Sequence, residues 1–196
     1  MNRIQNQIGR RRLLGAALAL PFASIGPVSG QTLLLTPACG EKPERTPSQS
    51  AGPFYTPDSP RRSSLAEPGS KAERLVLTGL VLSPQCKPMA NALLDFWHCD
   101  EAGEYDNRSF RYRGHVLADA QGRYSLETIV PGEYPGRTRH IHVNVRPPGG
   151  RVLTTQLYFP DEPGNRSDSI YRRELTMRVA RKGAARHARF DFVVAS

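Results

Sequence analysis

Short runs of branched and aromatic residues dominate the chain from Leu75 onward. Turn signals such as Ser83-Pro84 and Pro131-Gly132 stand between these runs. The pattern predicts six strands, at Leu75–Leu82, Ala90–His98, Arg123–Val130, His140–Arg146, Val152–Phe159 and Phe190–Val194. Tyr171–Val179 is a candidate for a seventh strand. Together these segments predict an all-β fold, a β-sandwich of short and mostly antiparallel strands with long loops.

The first two predicted strands form a hairpin if they pair around the turn at Ser83–Met89. In that arrangement Cys86 lies at the turn and Cys99 at the open end, about 25 Å apart at a rise of about 3.3 Å per residue. A disulfide needs Cα atoms within about 7 Å of each other. We therefore predict free thiols at these positions and at the third cysteine, Cys39.

Residues 1–30 have the composition of an export signal. Arg10-Arg11-Arg12 precedes an apolar run from Leu13 to Ile25, and small residues follow, which is the order of a cleaved secretory signal. The paired arginines resemble a twin-arginine signal, so we expect a periplasmic or secreted protein. The run is shorter than the roughly 20 residues of a membrane-spanning helix, so we expect no permanent membrane span. A first helix packed on the domain and a lipoprotein attached at Cys39 are the alternatives.

The rest of the chain divides into an extended arm or loop at residues 31–71, rich in Pro, Ser, Thr and Gly, and a β-sandwich domain at residues 72–196. The net charge is +9, and subtracting the four arginines that precede residue 30 leaves +5, because no acidic residue precedes that position. The dense basic run at Arg178–Arg189 has no nucleic-acid-binding fingerprint around it, so we interpret it as a solvated face. We expect no nucleic-acid partner, and an oligomer stays open.

Candidate chemistry begins at His140-Ile141-His142, which opens a predicted strand. Side chains alternate along a strand, so the two imidazoles project to the same side, about 6.6 Å apart at their Cα atoms. That spacing suits chelation of one metal ion, although two half-exposed polar positions give the same pattern. In a cupin a glutamate ligand follows such a pair, but Val143–Arg146 supplies no carboxylate. Zinc and copper stay possible, although no further Cys or His stands at ligand spacing.

Tyrosine is the candidate source of further ligands. Tyr134 lies six residues before the first histidine, in Pro131–Gly136, and Tyr105 ends the stretch Trp97–Tyr105. A phenol with a pKa near 10 ionises at neutral pH only when a strong Lewis acid replaces its proton, and ferric iron is such an acid. Two phenolates with two imidazoles therefore favour Fe(III), with a fifth position for hydroxide or substrate. Taken singly, each tyrosine is readily explained as a packed aromatic residue.

The order of these residues resembles that of the intradiol ring-cleavage dioxygenases, the family of protocatechuate 3,4-dioxygenase and catechol 1,2-dioxygenase. The shared pattern is a tyrosine, then Pro-Gly-x-Tyr-Pro, then Arg-x-x-His-x-His, and the ordered set is far more specific than its parts. The resemblance is collinear from about residue 46 to residue 195. Its segments are Ser48–Tyr55, Thr78-Gly79, Trp97–Tyr105, Gly122–Tyr134, Arg137–His142 and Thr155–Phe159.

The resemblance implies an oxidoreductase with Fe(III) as its cofactor and with a small aromatic diol and O2 as substrates. It implies Tyr105 and His140 as equatorial ligands and Tyr134 and His142 as axial ligands. Tyr134 would leave the metal when substrate binds, and its freed phenolate would take a proton. The other implied active-site positions are Arg137, which would stabilise negative charge on the ring, and Gln156, with a pocket border at Gly52, Pro53, Phe54 and Tyr55.

The implied reaction cuts the ring between its two hydroxylated carbons and gives a muconate-type diacid. The segment Gly136–Arg139 is shorter than in protocatechuate enzymes, so the identity of the catechol stays open. The chain lacks the long helical N-terminal dimerisation region of catechol 1,2-dioxygenases, which favours a compact, exported branch of the family. The alternative from another class is a non-catalytic, transthyretin-like exported binding module, in which the two tyrosines and two histidines are structural.

Overall fold

The computed structural model describes residues 44–195, whose regular structure consists of nine strands and two short 3-10 helices. The strands are β1 (Arg74–Leu82), β2 (Leu93–Trp97), β3 (Arg113–Leu117), β4 (Arg123–Ile129), β5 (His140–Arg146), β6 (Leu153–Tyr158), β7 (Arg178–Lys182), β8 (Ala185–Arg189) and β9 (Phe192–Val193). The 3-10 helices, Pro163–Arg166 and Arg173–Leu175, lie between β6 and β7. The described part of the chain contains no α-helix, and the all-β prediction is confirmed.

The strands form two sheets. One sheet has the order β3-β2-β5-β6, and the other has the order β4-β1-β8-β7, with β9 paired to the end of β1. Every pairing is antiparallel except those of β1 with β8 and with β9. Side chains from both sheets share one apolar core, so the prediction of a sandwich of mostly antiparallel strands is confirmed.

The two-residue period of β5 decides where the histidines go. Ile141, Val143 and Val145 are fully buried members of the core between the sheets. His140 and His142 alternate with them and therefore project from the outer face of the four-stranded sheet. Both histidines are nevertheless buried, so other parts of the chain must cover this face.

The segment before β1 supplies part of that cover. Residues 46–50 run beside β6, where the Gln49 N–H donates to the Thr154 carbonyl over 2.8 Å. Residues 51–59 cross the outer face of the four-stranded sheet, and residues 60–65 run beside β3 and then β4. From residue 44 on, the predicted arm is thus an irregular wrap that pairs with otherwise open strand edges.

Two expected features of the strands are wrong. The first two strands do not form a hairpin, because β1 and β2 lie in different sheets and the turn after β1 folds back only as far as Pro88 and Met89, which pair with the end of β1. Tyr171–Val179 is not a strand, since it contains a 3-10 helix and only its last residues enter β7. The run Arg178–Arg189, interpreted as a solvated face, folds as the paired strands β7 and β8, in which all residues but Ala188 are half-buried or exposed. The sequences of β3 and β8, RGHVL and ARHAR, alternate too weakly to be predicted, and pairing with neighbours makes them strands.

The prediction for the cysteines is correct at one described position and wrong at the other. Cys99 is free and buried, as predicted. Cys86 is disulfide-bonded, and its partner is not among residues 44–195. The separation between Cys86 and Cys99 excludes only that one pair, so it gave no ground to expect a free thiol at Cys86.

Several predictions concern residues that lie outside the described range. These are the export signal at residues 1–30, the first part of the arm, and lipid attachment at Cys39. From residue 44 to residue 195 no helix combines the length and the apolar character that crossing a bilayer requires.

Candidate active site

The two histidines of β5 direct their rings toward one point. The Nε2 atoms of His140 and His142 are 3.1 Å apart. Nδ1 of His140 is 2.6 Å from the Thr138 carbonyl oxygen, so we assign its proton to this bond, which leaves a lone pair on Nε2. The ring of His142 stacks on Trp97, with centroids 4.9 Å apart and planes inclined by 6°. Strand geometry and these contacts fix both imidazoles.

Both imidazoles are neutral at neutral pH. Burial lowers the pKa of His140 to about 4. Burial and the neighbouring His140 hold the pKa of His142 well below its ordinary value. Nδ1 of His142 has no hydrogen-bond partner among the residues described, so stacking on Trp97 is what orients this ring. Neutral imidazole is the form that binds metal ions, so burial prepares the pair for that role.

Two loops bring tyrosines next to the histidine pair, and their backbones pack directly on each other. A Cβ on Gly103 would lie 2.2 Å from the Glu133 carbonyl oxygen, and a Cβ on Gly132 would lie 2.5 Å from the Gly103 nitrogen. Only glycine allows this approach, and Gly103 also has a φ of +88°. The loops that carry Tyr105 and Tyr134 are therefore docked by glycines of the motifs themselves.

Tyr105 reaches the histidine pair, and Tyr134 packs against Tyr105. Oη of Tyr105 is 3.4 Å from Nε2 of His140. The ring of Tyr134 stands edge-on to that of Tyr105, with centroids 5.8 Å apart. Burial raises the pKa of Tyr105 well above its ordinary value, so its phenolate form requires a cation in place of the proton.

The donors that meet here fit a ferric ion. Two nitrogen ligands at right angles, each about 2.1 Å from a metal, are about 3 Å apart, which is close to the 3.1 Å between the Nε2 atoms of His140 and His142. Within residues 44–195 no three His, Cys, Asp or Glu side chains come together at a metal-binding spacing. The oxygen at the pair that could become an anionic donor is the Tyr105 phenol, and phenolate oxygen with imidazole nitrogen is a suitable ligand set for Fe(III).

The predicted pocket border comes to the site in part. The ring of Phe54 stacks on Tyr105, with centroids 4.3 Å apart, and meets Tyr134 edge-on at 5.4 Å. Gly52, with a φ of +67°, brings the backbone against His142, since a Cβ there would lie 3.5 Å from the imidazole. Phe54 and Gly52 therefore line the site.

The other two residues of this stretch are placed differently. Tyr55 packs on Trp97, and its hydroxyl donates to Oδ2 of Asp95 over 3.2 Å, so its polar end is already occupied. Pro53 is exposed. Asp95 was not predicted, although an acidic residue inside the apolar strand Leu93–Trp97 is a visible signal. Burial raises the pKa of this carboxyl, and the hydrogen bond that it accepts from Tyr55 holds the tyrosine ring against Trp97.

Arg137 and Gln156 stand together next to the histidine pair. Gln156 is the cross-strand partner of His142, and its side-chain N–H donates to the Ser50 carbonyl over 2.9 Å. Nη2 of Arg137 donates to Oε1 of Gln156 over 2.6 Å, and Nε donates to Asp168 over 2.9 Å. The guanidinium is thus held on two sides. Asp168 lies in an irregular loop, and nothing in the sequence pattern pointed to it.

A second residue that the sequence did not reveal is Arg113, which is 1% exposed. Its Nη1 donates to the Phe54 carbonyl over 2.5 Å, and its Nε and Nη2 donate to the Asp106 carbonyl over 3.0 and 2.6 Å. It therefore ties together the two loops whose rings, Phe54 and Tyr105, stack on each other. Arg113 on β3 pairs with Trp97 on β2. This pairing could not be predicted, because β3 itself was not predicted.

Comparison with known proteins places this fold and site in a family. The family model described as "Dioxygenase" matches residues 51–195. The chain is 31% identical over 159 residues to a catechol 1,2-dioxygenase of Candida albicans, which covers 67% of this chain and 52% of that protein. It is 36% identical over 117 residues to a protocatechuate 3,4-dioxygenase beta chain of Burkholderia cepacia, which covers 50% of each chain. The chain spans about half the length of the curated relatives it matches.

A solved structure covers more of the fold. The dioxygenase domain of a dioxygenase carbohydrate-binding protein fusion from Streptomyces sp. SirexAA-E is 48% identical, with a TM-score of 0.76, over 78% of this chain and 99% of that one. A 3-chlorocatechol 1,2-dioxygenase of Rhodococcus opacus is 28% identical with a TM-score of 0.71 over 77% of this chain. The ordered tyrosine and histidine motifs, the two-sheet fold and these matches lead to one conclusion. The chain belongs to the intradiol ring-cleavage dioxygenase family.

Proposed function

We propose that this protein is a non-haem Fe(III) dioxygenase that opens a catechol-type ring between its two hydroxylated carbons to give a muconate-type diacid. The observation that carries the proposal is that three donor atoms meet on one sheet face. Nε2 of His140 lies 3.1 Å from Nε2 of His142 and 3.4 Å from Oη of Tyr105. Relatives named as catechol and protocatechuate dioxygenases support an aromatic diol as the substrate class.

In this proposal His140, His142, Tyr105 and Tyr134 hold the iron. Ferric iron, when bound, supplies Lewis acidity toward the two diol oxygens and draws electron density from the ring, which prepares it for O2. Tyr134 would be the exchangeable ligand, and its Oη would accept a proton from the diol. Its aromatic contacts with Phe54 and Tyr105 fix the position of its ring.

Two further groups serve the substrate. Arg137 stabilises the negative charge that develops on the ring and its oxygens, because Gln156 and Asp168 hold its guanidinium beside the histidine pair. The ring of Phe54 forms an apolar wall over Tyr105, which keeps water from one side of the site.

Oxygen uptake across a series of substituted catechols tests this function. The iron-loaded protein should consume one O2 for each diol, and with labelled O2 both atoms should appear in a ring-opened diacid. His142→Ala should consume none. The proposal would be contradicted if no catechol of the series caused oxygen uptake, or if the ring were cleaved at a bond other than the one between its two hydroxylated carbons.

We also propose that the protein is exported by the twin-arginine route and works in the periplasm or outside the cell. The pattern of residues 1–30 supports this, and so does the disulfide at Cys86, because disulfides persist in oxidising compartments. Replacing Arg11 and Arg12 together by lysine should retain the protein in the cytoplasm of a bacterial host. An unchanged distribution between cell fractions would count against this route.

A further inference from the structure

One loop holds the three residues that precede the histidine motif. Arg137, Thr138 and Arg139 each bond to a different polar side chain of residues 162–168. The pairs are Arg137 with Asp168 at 2.9 Å, Thr138 Oγ1 with Asn165 Oδ1 at 2.8 Å, and Arg139 with Glu162 at 3.1 Å. Gly164 packs closely on Thr138, since a Cβ there would lie 3.1 Å from that side chain. The loop is therefore a continuous support for this segment.

Asp168 differs from Asn165 and Glu162 because it is a buried carboxylate whose two oxygens both accept hydrogen bonds from the chain. Its side chain is 2% exposed. Oδ2 accepts from Nε of Arg137 at 2.9 Å and from the Thr138 N–H at 3.0 Å, and Oδ1 accepts from the Ile170 N–H at 3.0 Å. Burial acts to raise the pKa of Asp168, but these donors outweigh it and lower the pKa. The carboxylate is therefore ionised at neutral pH.

Each contact of Asp168 leads to a different part of the site. Through Arg137 it reaches Gln156, because Nη2 of that arginine donates to the glutamine Oε1. Through Thr138 it reaches His140, because the Thr138 carbonyl accepts the Nδ1 proton that fixes the imidazole. Within the described residues, the hydrogen bonds of the guanidinium use Nε and Nη2, so the fixed Arg137 keeps Nη1 for a ligand.

Glu162 shows what a merely structural carboxylate of the same loop does. It pairs with Arg139, whose Nη1 also donates to the Pro131 carbonyl. Its side chain is 13% exposed, and its carboxylate bonds neither Arg137 nor Thr138. Both carboxylates bind an arginine of the same tripeptide, so Glu162 is a matched control for Asp168.

We propose that Asp168 is a positioning residue that sets both the direction of the Arg137 guanidinium and the orientation of the His140 imidazole. This role rests on the proposed function. Its Arg137 branch requires turnover, whereas its His140 branch requires only the binding of iron. Outer-shell partners of metal-bound histidines typically contribute 10–100-fold to metal affinity, and a small misplacement of a charge-stabilising group costs about 100-fold in rate.

The test compares Asp168→Asn with Glu162→Gln. The first variant should bind Fe(III) about 10-fold more weakly in competition with a chelator. At saturating iron its kcat should fall about 10–100-fold with little change in KM. The visible absorption of phenolate bound to Fe(III) should be retained. Glu162→Gln should stay within about 2-fold of wild type in both measurements. A double variant Asp168→Asn with Arg137→Met should be no slower than Arg137→Met alone, because both changes disable the same guanidinium.

The outcomes separate the two claims. If wild-type protein consumes no O2 with any catechol, the proposed function fails, while iron affinity still tests the His140 branch. If wild type turns over and Asp168→Asn matches Glu162→Gln in both measurements, the positioning role is wrong. If the effect of Asp168→Asn on kcat at saturating iron adds to that of Arg137→Met, the Arg137 branch is wrong. Should Asp168→Asn not fold, Asp168→Glu keeps the charge on a longer arm and should lower kcat about 5-fold or more. A wild-type rate and iron affinity in that variant would also overturn the proposal.

Discussion

The histidine half and the tyrosine half of the site are built by different means. His140 and His142 sit on β5, between β2 and β6, and each is only 3% exposed. Tyr105 and Tyr134 sit on loops and are half-buried. The sheet fixes the first pair through a ladder of backbone hydrogen bonds, whereas a few specific contacts place the second pair.

The contacts that place the tyrosine loops are few and identifiable. Gly103 and Gly132 let the two backbones touch, and Arg113 ties the Phe54 loop to the Tyr105 loop. None of these groups is needed to form a sheet. The tyrosine half should therefore be the part that mutations disturb first, while the histidine half should be disturbed most by removal of a histidine itself.

Removal of a histidine should have the largest effect. His142→Ala deletes a proposed ligand, so iron affinity should fall by more than the 10–100-fold that loss of a residue supporting a ligand costs, and turnover should disappear. His187→Ala is the matched control, because His187 lies on β8 in the other sheet. Metal analysis after chelator competition measures both. Retention of iron by His142→Ala would show that the strand pair does not hold the metal.

Removal of a single phenol oxygen should have a smaller effect. Tyr134→Phe should keep the iron and lose about 100-fold in kcat, because the oxygen that takes the proton is gone while the ring and its packing remain. Tyr112→Phe, whose hydroxyl bonds Glu101 away from the histidines, should behave as wild type. A normal rate for Tyr134→Phe would remove Tyr134 from the mechanism.

Acidification should weaken the metal-free fold through its buried histidines. Burial lowers the pKa of His98 and of His140 to about 4 in the fold, against about 6.5 when unfolded. Their stabilisation is thus present above pH 6.5 and is lost as the pH falls toward 4. Between pH 7 and pH 5 the free energy of unfolding should drop by about 2 kcal/mol for each.

Urea unfolding of the metal-free protein at the two pH values measures this change. The variant His140→Asn should lose the part of the pH dependence that comes from His140 and keep the part that comes from His98. His98 lies outside the site, where it bonds Thr128 and the Cys99 carbonyl, so it serves as an internal reference. Stability that is equal at pH 7 and pH 5 would contradict the neutral, buried state of these rings.

The smallest effect should come from loosening the tyrosine loops alone. A lysine at position 113 can satisfy one of the two carbonyls that Arg113 binds and leaves the other without a partner. Arg113→Lys should therefore keep the iron on the histidines and lower kcat about 10-fold through the looser Phe54 and Tyr105 loops. Arg186→Lys, which affects the ion pair with Glu73 in the other sheet, should have no effect on kcat. An equal loss in both variants would argue against a specific role for Arg113.

The same division explains how far the sequence could predict the site. Alternation of apolar and polar residues gave β5 its bounds, His140–Arg146, and put both imidazoles on one face. No comparable pattern exists for a loop. Tyr105 and Tyr134 were singled out by ligand chemistry and their order along the chain, and the glycine contact that docks their loops requires coordinates.

Other features were beyond sequence patterns because they depend on pairing between distant segments. Arg113 lies on β3, which alternates too weakly to be predicted, and Asp168 lies in a loop with no periodicity. The wrap at residues 46–65 is irregular, yet it pairs with both sheets. The hairpin predicted for the first two strands failed because adjacency in the chain does not decide whether two strands share a sheet.

The most direct test of the four-ligand iron site is the visible spectrum of the protein loaded with Fe(III). We predict one iron per chain and a broad visible absorption from phenolate bound to the ferric ion, weakened in Tyr105→Phe and absent when Tyr134 is replaced by Phe as well. A colourless protein that holds iron, or a protein that binds none, would contradict the site.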